Sequence, residues 1–383
     1  MVRHDHSVSD PYQSWPAPDQ TRPLDVFGPD EPVSPPVTRR AALLTAGMLG
    51  SALLLLGVLL LPVPYAVNGP GPTLNTLGEY DGEPLISISG AETYESTGEL
   101  RLTTVSTTGG PGYPSTVVGV IAGWLSGSTQ VLPAEYVFPQ GATQEQIDEQ
   151  NQAQMTSSQE NATVAALEEL GYDVPTTLEI AGTVEGSGAE GLVQEGDVLV
   201  SVDGAALTSY SQLIDLLADT DADTTLTLGV QRDGQALDVP VVTAAKDGGG
   251  SQLGVYIDPT FDMPVEVSIK IEQIGGSSAG TMFALGIIDR LTPQDEANGE
   301  HIAGTGTMDL NGDVGPIGGI RQKMAGALRD GASWFLAPAD NCDEVVGNIP
   351  DGLNVARIDT LHDAREAVEA IGSGDTADLP TCG

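Results

Sequence analysis

The sequence predicts an α/β (α+β) domain joined to a smaller β-rich domain, both behind one N-terminal transmembrane helix. Three observations carry that expectation. Residues 41–61 run for 21 positions without a charge. Residues 174–245 form short alternating apolar segments around a single amphipathic stretch, and residues 250–371 alternate strand-like and helix-like apolar runs.

Residues 1–38 hold eight prolines and almost no apolar periodicity, which reads as disorder. His4 and His6 are too few for a metal site. Arg39-Arg40 closes this tail, and Ala41–Leu61 follows; at about 1.5 Å per residue it spans roughly 31 Å, one bilayer core. A cleaved signal peptide would need a small-residue cleavage site, and none stands near 62–68. Two arginines precede the run, and the first charge after it is Glu79. The positive-inside rule therefore puts the tail in the cytoplasm and the remainder outside the cell membrane.

The net charge is −40, and aromatic residues are 4% of the chain. Such acidity argues against nucleic acid as a partner. Residues 1–64 hold four Arg and six Asp/Glu, leaving a net −38 beyond them, which suits a solvated exterior domain.

Beyond the apolar run, Pro70–Gly78 reads as a turn-rich exit. Leu85–Ser89 and Gly98–Val105 alternate as strands. Val117–Leu125 is a short apolar element, Val131–Phe138 a candidate strand, and Ala142–Leu170 largely helical. Asn161-Ala-Thr163 is a formal glycosylation sequon with no further support. Leu178–Val184 is a strand, Ser209–Leu217 an amphipathic helix, and Thr225–Gln231 with Leu237–Val242 a hairpin around Asp233-Gly234. Lys246–Ser251 is a hinge. Leu253–Ile257 and Val265–Ile271 are strands, Ala279–Asp289 a buried helix, Trp334–Ala337 and Val355–Ile358 strands, and Leu361–Ile371 a helix.

Two stretches carry chemistry. Ile274-Gly-Gly-Ser-Ser-Ala-Gly280 puts Ser278 on a glycine-rich turn at a helix start, where unpaired N–H groups and the positive end of the helix dipole could hold an oxyanion. Gly275 and Gly276 allow the sharp turn. Thr305-Gly306 and Gly318-Gly-Ile-Arg-Gln-Lys323 then place a lysine one turn into a later helix. Taken singly, the first is an ordinary helix cap and the second a solvated lysine. Together they offer a nucleophile and base without histidine. Lysines are scarce: Lys246, Lys270 and Lys323 are all there are.

Gly276-Ser-Ser-Ala-Gly280, followed by Thr305-Gly306 and by Gly312-Asp-Val-Gly-Pro-Ile-Gly-Gly-Ile-Arg-Gln-Lys323, resembles the proteolytic domain of the Lon peptidase family. By that resemblance Ser278 is the nucleophile, Lys323 the base of a Ser-Lys dyad, and Thr305 the threonine beside it, with Gly276 supporting the turn. Ser277 stands where the family has proline, and Arg321 where it has lysine. Gly196-Asp-Val-Leu-Val-Ser-Val-Asp-Gly204 resembles a PDZ domain of the bacterial protease type. Such domains bind peptides by strand addition, here between Leu178–Val184 and Ser209–Leu217. No Gly-Leu-Gly-Phe-like carboxylate loop precedes Leu178.

The boundaries that follow are a tail at 1–40, a transmembrane helix at 41–63, a first part of the Lon-like domain at 64–173, a PDZ domain at 174–246, the Lon-like domain proper at 250–373, and a tail at 374–383. The PDZ domain is expected to be inserted into a Lon-like fold that begins near residue 80.

For Lys323 to accept the proton of Ser278 it must be neutral. Lowering its pKa from about 10.4 towards about 7.5 takes roughly 4 kcal/mol of desolvation or like-charge repulsion. The expected surroundings are apolar or hydroxyl-lined, with Asp309 and Asp313 turned elsewhere. Cys342 and Cys382, an even count in an oxidising compartment, favour one disulfide over two free thiols.

No Gly-x-x-x-x-Gly-Lys-Ser/Thr and no His-Glu-x-x-His occurs, so neither ATP nor zinc is expected and no cofactor is assigned. The expected function is an ATP-independent serine endopeptidase acting on flexible peptide or protein substrates, with a homo-oligomeric ring implied by the resemblance alone. The rival chemistry is a Ser-His-Asp triad recruiting His301 or His362. The rival function is a catalytically inactive, membrane-anchored PDZ scaffold.

Overall fold

The computed structural model describes residues 38–383 apart from 140, 247–248 and 272–273. The expectations for residues 1–37, including His4 and His6, lie outside the described residues. Helix α1 (Arg39–Leu59) is long and apolar enough to cross a membrane.

The remaining elements follow in chain order. Strands β1 (Tyr65–Asn75), β2 (Ile86–Ser89) and β3 (Glu99–Thr108) come first, then α2 (Val117–Leu125), β4 (Gln130–Pro133) and α3 (Gln144–Glu169). Next are β5 (Thr176–Thr183), β6 (Val198–Val202), α4 (Tyr210–Ala218), β7 (Thr225–Arg232), β8 (Gln235–Val242), β9 (Val255–Phe261) and β10 (Glu266–Ile269). The chain closes with α5 (Gly280–Leu291), β11 (His301–Gly304), α6 (Ile320–Arg329), β12 (Trp334–Pro338), β13 (Asn354–Ile358) and α7 (Leu361–Ser373). Local chemistry sets several boundaries: Thr143 with Gln146, and Thr360 with Asp363, form capping boxes at the starts of α3 and α7.

Six strands in the order β13–β12–β11–β3–β1–β4 make the main sheet, parallel from β13 to β3 and antiparallel beyond. Strand alternation divides its side chains between two cores. Leu336 and Ala356 face α3, α5 and α7, whereas Phe335, Ala337 and Val355 face α6. Segments 65–133 and 301–358 thus build one sheet, and β10 pairs with β2. A second, antiparallel sheet, β8–β7–β6–β5–β9, lies between them in the chain with α4 against it.

Two expectations are corrected. Pro70–Gly78 is not a turn-rich exit, because β1 runs through residue 75 as a strand of the main sheet. The ladder shifts register between Pro70 and Thr73, where the prolines have no N–H to offer. Gly71 fits there because a Cβ would stand 2.2 Å from Thr104 Oγ1. The candidate strand 131–138 ends at Pro133 and continues as a 3₁₀ turn, Ala134–Tyr136.

Candidate active site

Ser278 is delivered by the turn that precedes α5. Gly276 has φ +95°, and its N–H donates to the Asn151 carbonyl at 3.0 Å. A Cβ on Gly275 would lie 2.5 Å from Asn151 Cβ, so the turn presses directly on α3. Ser158 Oγ, also on α3, donates to the Ser277 carbonyl at 3.0 Å. Sequence reasoning missed Asn151 and Ser158, since nothing local to α3 marks a residue whose partner lies more than a hundred positions away.

Lys323 comes from the opposite face of the main sheet's C-terminal half. Gly319, at φ +73°, starts α6, and the Lys323 N–H closes its first turn on the Gly319 carbonyl at 3.1 Å. Thr305 follows directly from β11. These elements bring three side chains together. Lys323 Nζ donates to Ser278 Oγ at 2.7 Å and to Thr305 Oγ1 at 2.8 Å. Thr305 Oγ1 donates its own hydrogen to the Ser278 carbonyl at 2.9 Å, which leaves its lone pairs facing Nζ.

Lys323 is 2% exposed, and among the described residues no carboxylate pairs with it. Burial alone lowers its pKa from 10.5 to about 7. Asp309 and Asp313 are occupied in their own turn, where Asp309 Oδ1 accepts the Asp313 N–H at 2.8 Å. His301 stands beside Glu99, and His362 bonds to Glu169; neither is hydrogen-bonded to Ser278. Asn161, the sequon residue, donates through Nδ2 to the Met308 carbonyl at 3.0 Å. Cys342 and Cys382 are joined as a disulfide, and the Arg357 N–H donates to the Pro380 carbonyl at 2.8 Å, so the C-terminal tail is tied to the domain.

Ser278 and Lys323 open into a cleft of about 680 Å³ whose walls include Phe138, Ile147, Met155 and Ile274. The edge of β3 forms another wall. Strand β11 ends opposite Leu102, so Thr103–Thr107 have no strand neighbour on that side among the described residues.

The expected peptide slot beside Leu178–Val184 is corrected. Strand β5 has β6 on one edge and β9 on the other, and so offers no free edge. The open edge belongs to β9. A second cleft, of about 330 Å³, lies between β9 and α4, bounded by Leu253, Val255 and Ile257 on one side and Leu213, Ile214 and Leu217 on the other. The turn Leu253-Gly254-Val255 leads into this edge strand. Its strand pattern was legible, but its pairing with a segment some eighty residues earlier was not.

Two family models match parts of this chain. The model of the Lon protease (S16) C-terminal proteolytic domain matches residues 266–369, and that of the PDZ domain matches residues 182–243. The Lon protease of Helicobacter pylori is 28% identical over 142 residues, covering 35% of this chain and 16% of that protein. The Lon protease of Azospirillum brasilense is 36% identical over 114 residues, covering 28% and 14%. The chain thus spans less than a fifth of the length of these relatives. The PDZ domain of an SdrC-like protein from Listeria innocua superposes with a TM-score of 0.21 at 17% identity, covering 21% of this chain and 92% of that one. The chain carries a Lon-type C-terminal proteolytic domain and a PDZ domain, and with the first of these the fold of a protease.

Proposed function

We propose that this protein is a serine endopeptidase in which Ser278 attacks the scissile carbonyl and Lys323 is the general base. The observation that carries the reading is the 2.7 Å approach of Lys323 Nζ to Ser278 Oγ, with the amine buried and its pKa lowered to about 7. A neutral Lys323 takes the hydroxyl hydrogen as the C–O bond forms, then returns it to the leaving amine. Water next attacks the acyl-serine ester, again losing its proton to Lys323, and Ser278 is regenerated. Thr305 holds Nζ in line throughout.

Among the described residues no acceptor takes the backbone N–H of Ser278 or Ala279. At the start of α5 these groups suit the developing oxyanion. The free edge of β3 at Thr103–Thr107 suits an extended substrate segment adding as a strand. No step requires a nucleotide, so hydrolysis proceeds without ATP on segments already flexible enough to enter as strands.

The second cleft suits capture of a peptide against β9, which raises the local concentration of substrate near Ser278. Helix α1 suits a single membrane span, with Arg39 and Arg40 on the cytoplasmic side and the two domains outside. A serine-directed activity probe followed by peptide mapping tests the proposal. Labelling at Ser278, lost in Ser278→Ala together with cleavage of an unfolded substrate, is the expected result. Peptide binding without cleavage by the wild-type chain would instead identify a scaffold.

A further inference from the structure

Helix α2 has two apolar faces and only one of them is covered. Val120 and Gly123 are buried; a Cβ on Gly123 would stand 2.8 Å from Val131 of β4 and 3.1 Å from Val67 of β1. On the other side Val118, Ile121 and Leu125 are 48%, 42% and 84% exposed. Trp124 touches Tyr65 edge-on, with ring centroids 6.4 Å apart, yet remains 65% exposed. The spacing of 118, 121 and 125 is that of one helix face.

The position of this face is fixed by hydrogen bonds. The Val117 N–H donates to the Leu61 carbonyl at 3.2 Å, and Pro62-Val63 pairs with Ser115-Thr116. Leu61 is two residues past the end of α1. If α1 spans a bilayer, α2 begins where the chain leaves it.

Charge is distributed to match. No charged residue occurs between Arg40 and Glu79, nor between Arg101 and Glu135. These two neutral runs build β1, the end of β3, α2 and β4, which lie against one another. The net −38 beyond residue 64 is carried by the rest of the chain. An anionic lipid surface would repel carboxylates placed against it, and a tryptophan beside an uncharged apolar face is suited to the headgroup boundary.

We infer that the exposed face of α2 lies in the interfacial layer of the membrane that α1 crosses, giving the domain a second contact with lipid. This rests on the reading of α1 as a span. It orients the domain, because a body held at both Leu61 and α2 cannot swing freely about a single tether.

The test uses the full chain reconstituted in phosphatidylcholine–phosphatidylglycerol vesicles. Lipids brominated on the upper acyl chain are expected to quench a blue-shifted component of tryptophan emission that disappears in Trp124→Phe. Ile121→Asp is expected to abolish that quenching while leaving peptide cleavage unchanged. A Leu55→Trp reporter in the Trp124→Phe background reads the span separately, with bromine near the bilayer centre. Quenching at residue 55 without quenching at Trp124 overturns the inference and leaves the span standing. Loss of both removes the span and the inference together. Trp124 shielded from aqueous iodide but not quenched by lipid would mean that a second copy covers the face, and would also overturn it.

Discussion

The carbonyl of Asn151 accepts the Gly276 N–H at 3.0 Å, tying α3 to the turn that ends in Ser278. Gly275 leaves room for that contact, since a Cβ would meet Asn151 Cβ at 2.5 Å. Gly275→Ala is therefore expected to displace the nucleophile without unfolding the domain. A shift of about 1 Å is enough for roughly 10²-fold in rate. Peptidase assays beside thermal melts would check this, and unchanged kcat/KM would refute the positioning role.

The pH profile has a defined direction. As the proposed base, Lys323 is competent only when neutral, and its folded pKa is lowered to about 7. The log of kcat/KM should rise with pH through a limb near 7 and then level. Thr305→Val removes an acceptor that favours the ammonium form, so its limb should move to lower pH while the plateau falls. A limb that moves up would contradict the hydrogen-bond assignment.

Stability changes with pH in the same direction as activity at that residue, but over the higher range from 7 to 10.5. The unfolded chain protonates Lys323 below its ordinary 10.5, whereas the folded chain does so only below about 7. Stability is therefore lost as pH falls from 10.5 to 7 and is level below that. Each unit of depression is about 1.36 kcal/mol. Lys323→Met is expected to add about 2 kcal/mol at pH 6 despite losing two hydrogen bonds, and less as pH rises. Denaturant melts at pH 6 and pH 10 would measure the difference.

The Cys342–Cys382 bridge closes a separation of 40 residues. Loop entropy at that length gives about 4 kcal/mol. Cys382→Ser should lower the melting temperature and expose the tail to proteolysis after residue 374, whereas equal stability of the two forms would refute the constraint.

Ile214 faces the cleft between α4 and β9. Ile214→Asp is expected to raise KM about 10-fold for protein substrates that dock there, leaving kcat for short peptides unchanged. An equal effect on both substrates would place the change at the catalytic cleft instead.

Patterns whose spacing is local were legible in the chain alone. Ser278 beside paired glycines, Lys323 one turn after Gly318-Gly319, and the uncharged run after Arg40 can all be read without knowing what lies across the fold, because caps, turns and helix registers are set by neighbours in the chain. Whatever depends on pairing between distant segments emerged with the fold. It made Pro70–Asn75 a strand by giving it β3 as a partner, moved the smaller sheet's open edge from β5 to β9, and set Asn151 and Ser158 under the turn that carries Ser278. Backbone hydrogen bonds carry no sequence label, so a strand's partner is chosen by which apolar faces can be buried together.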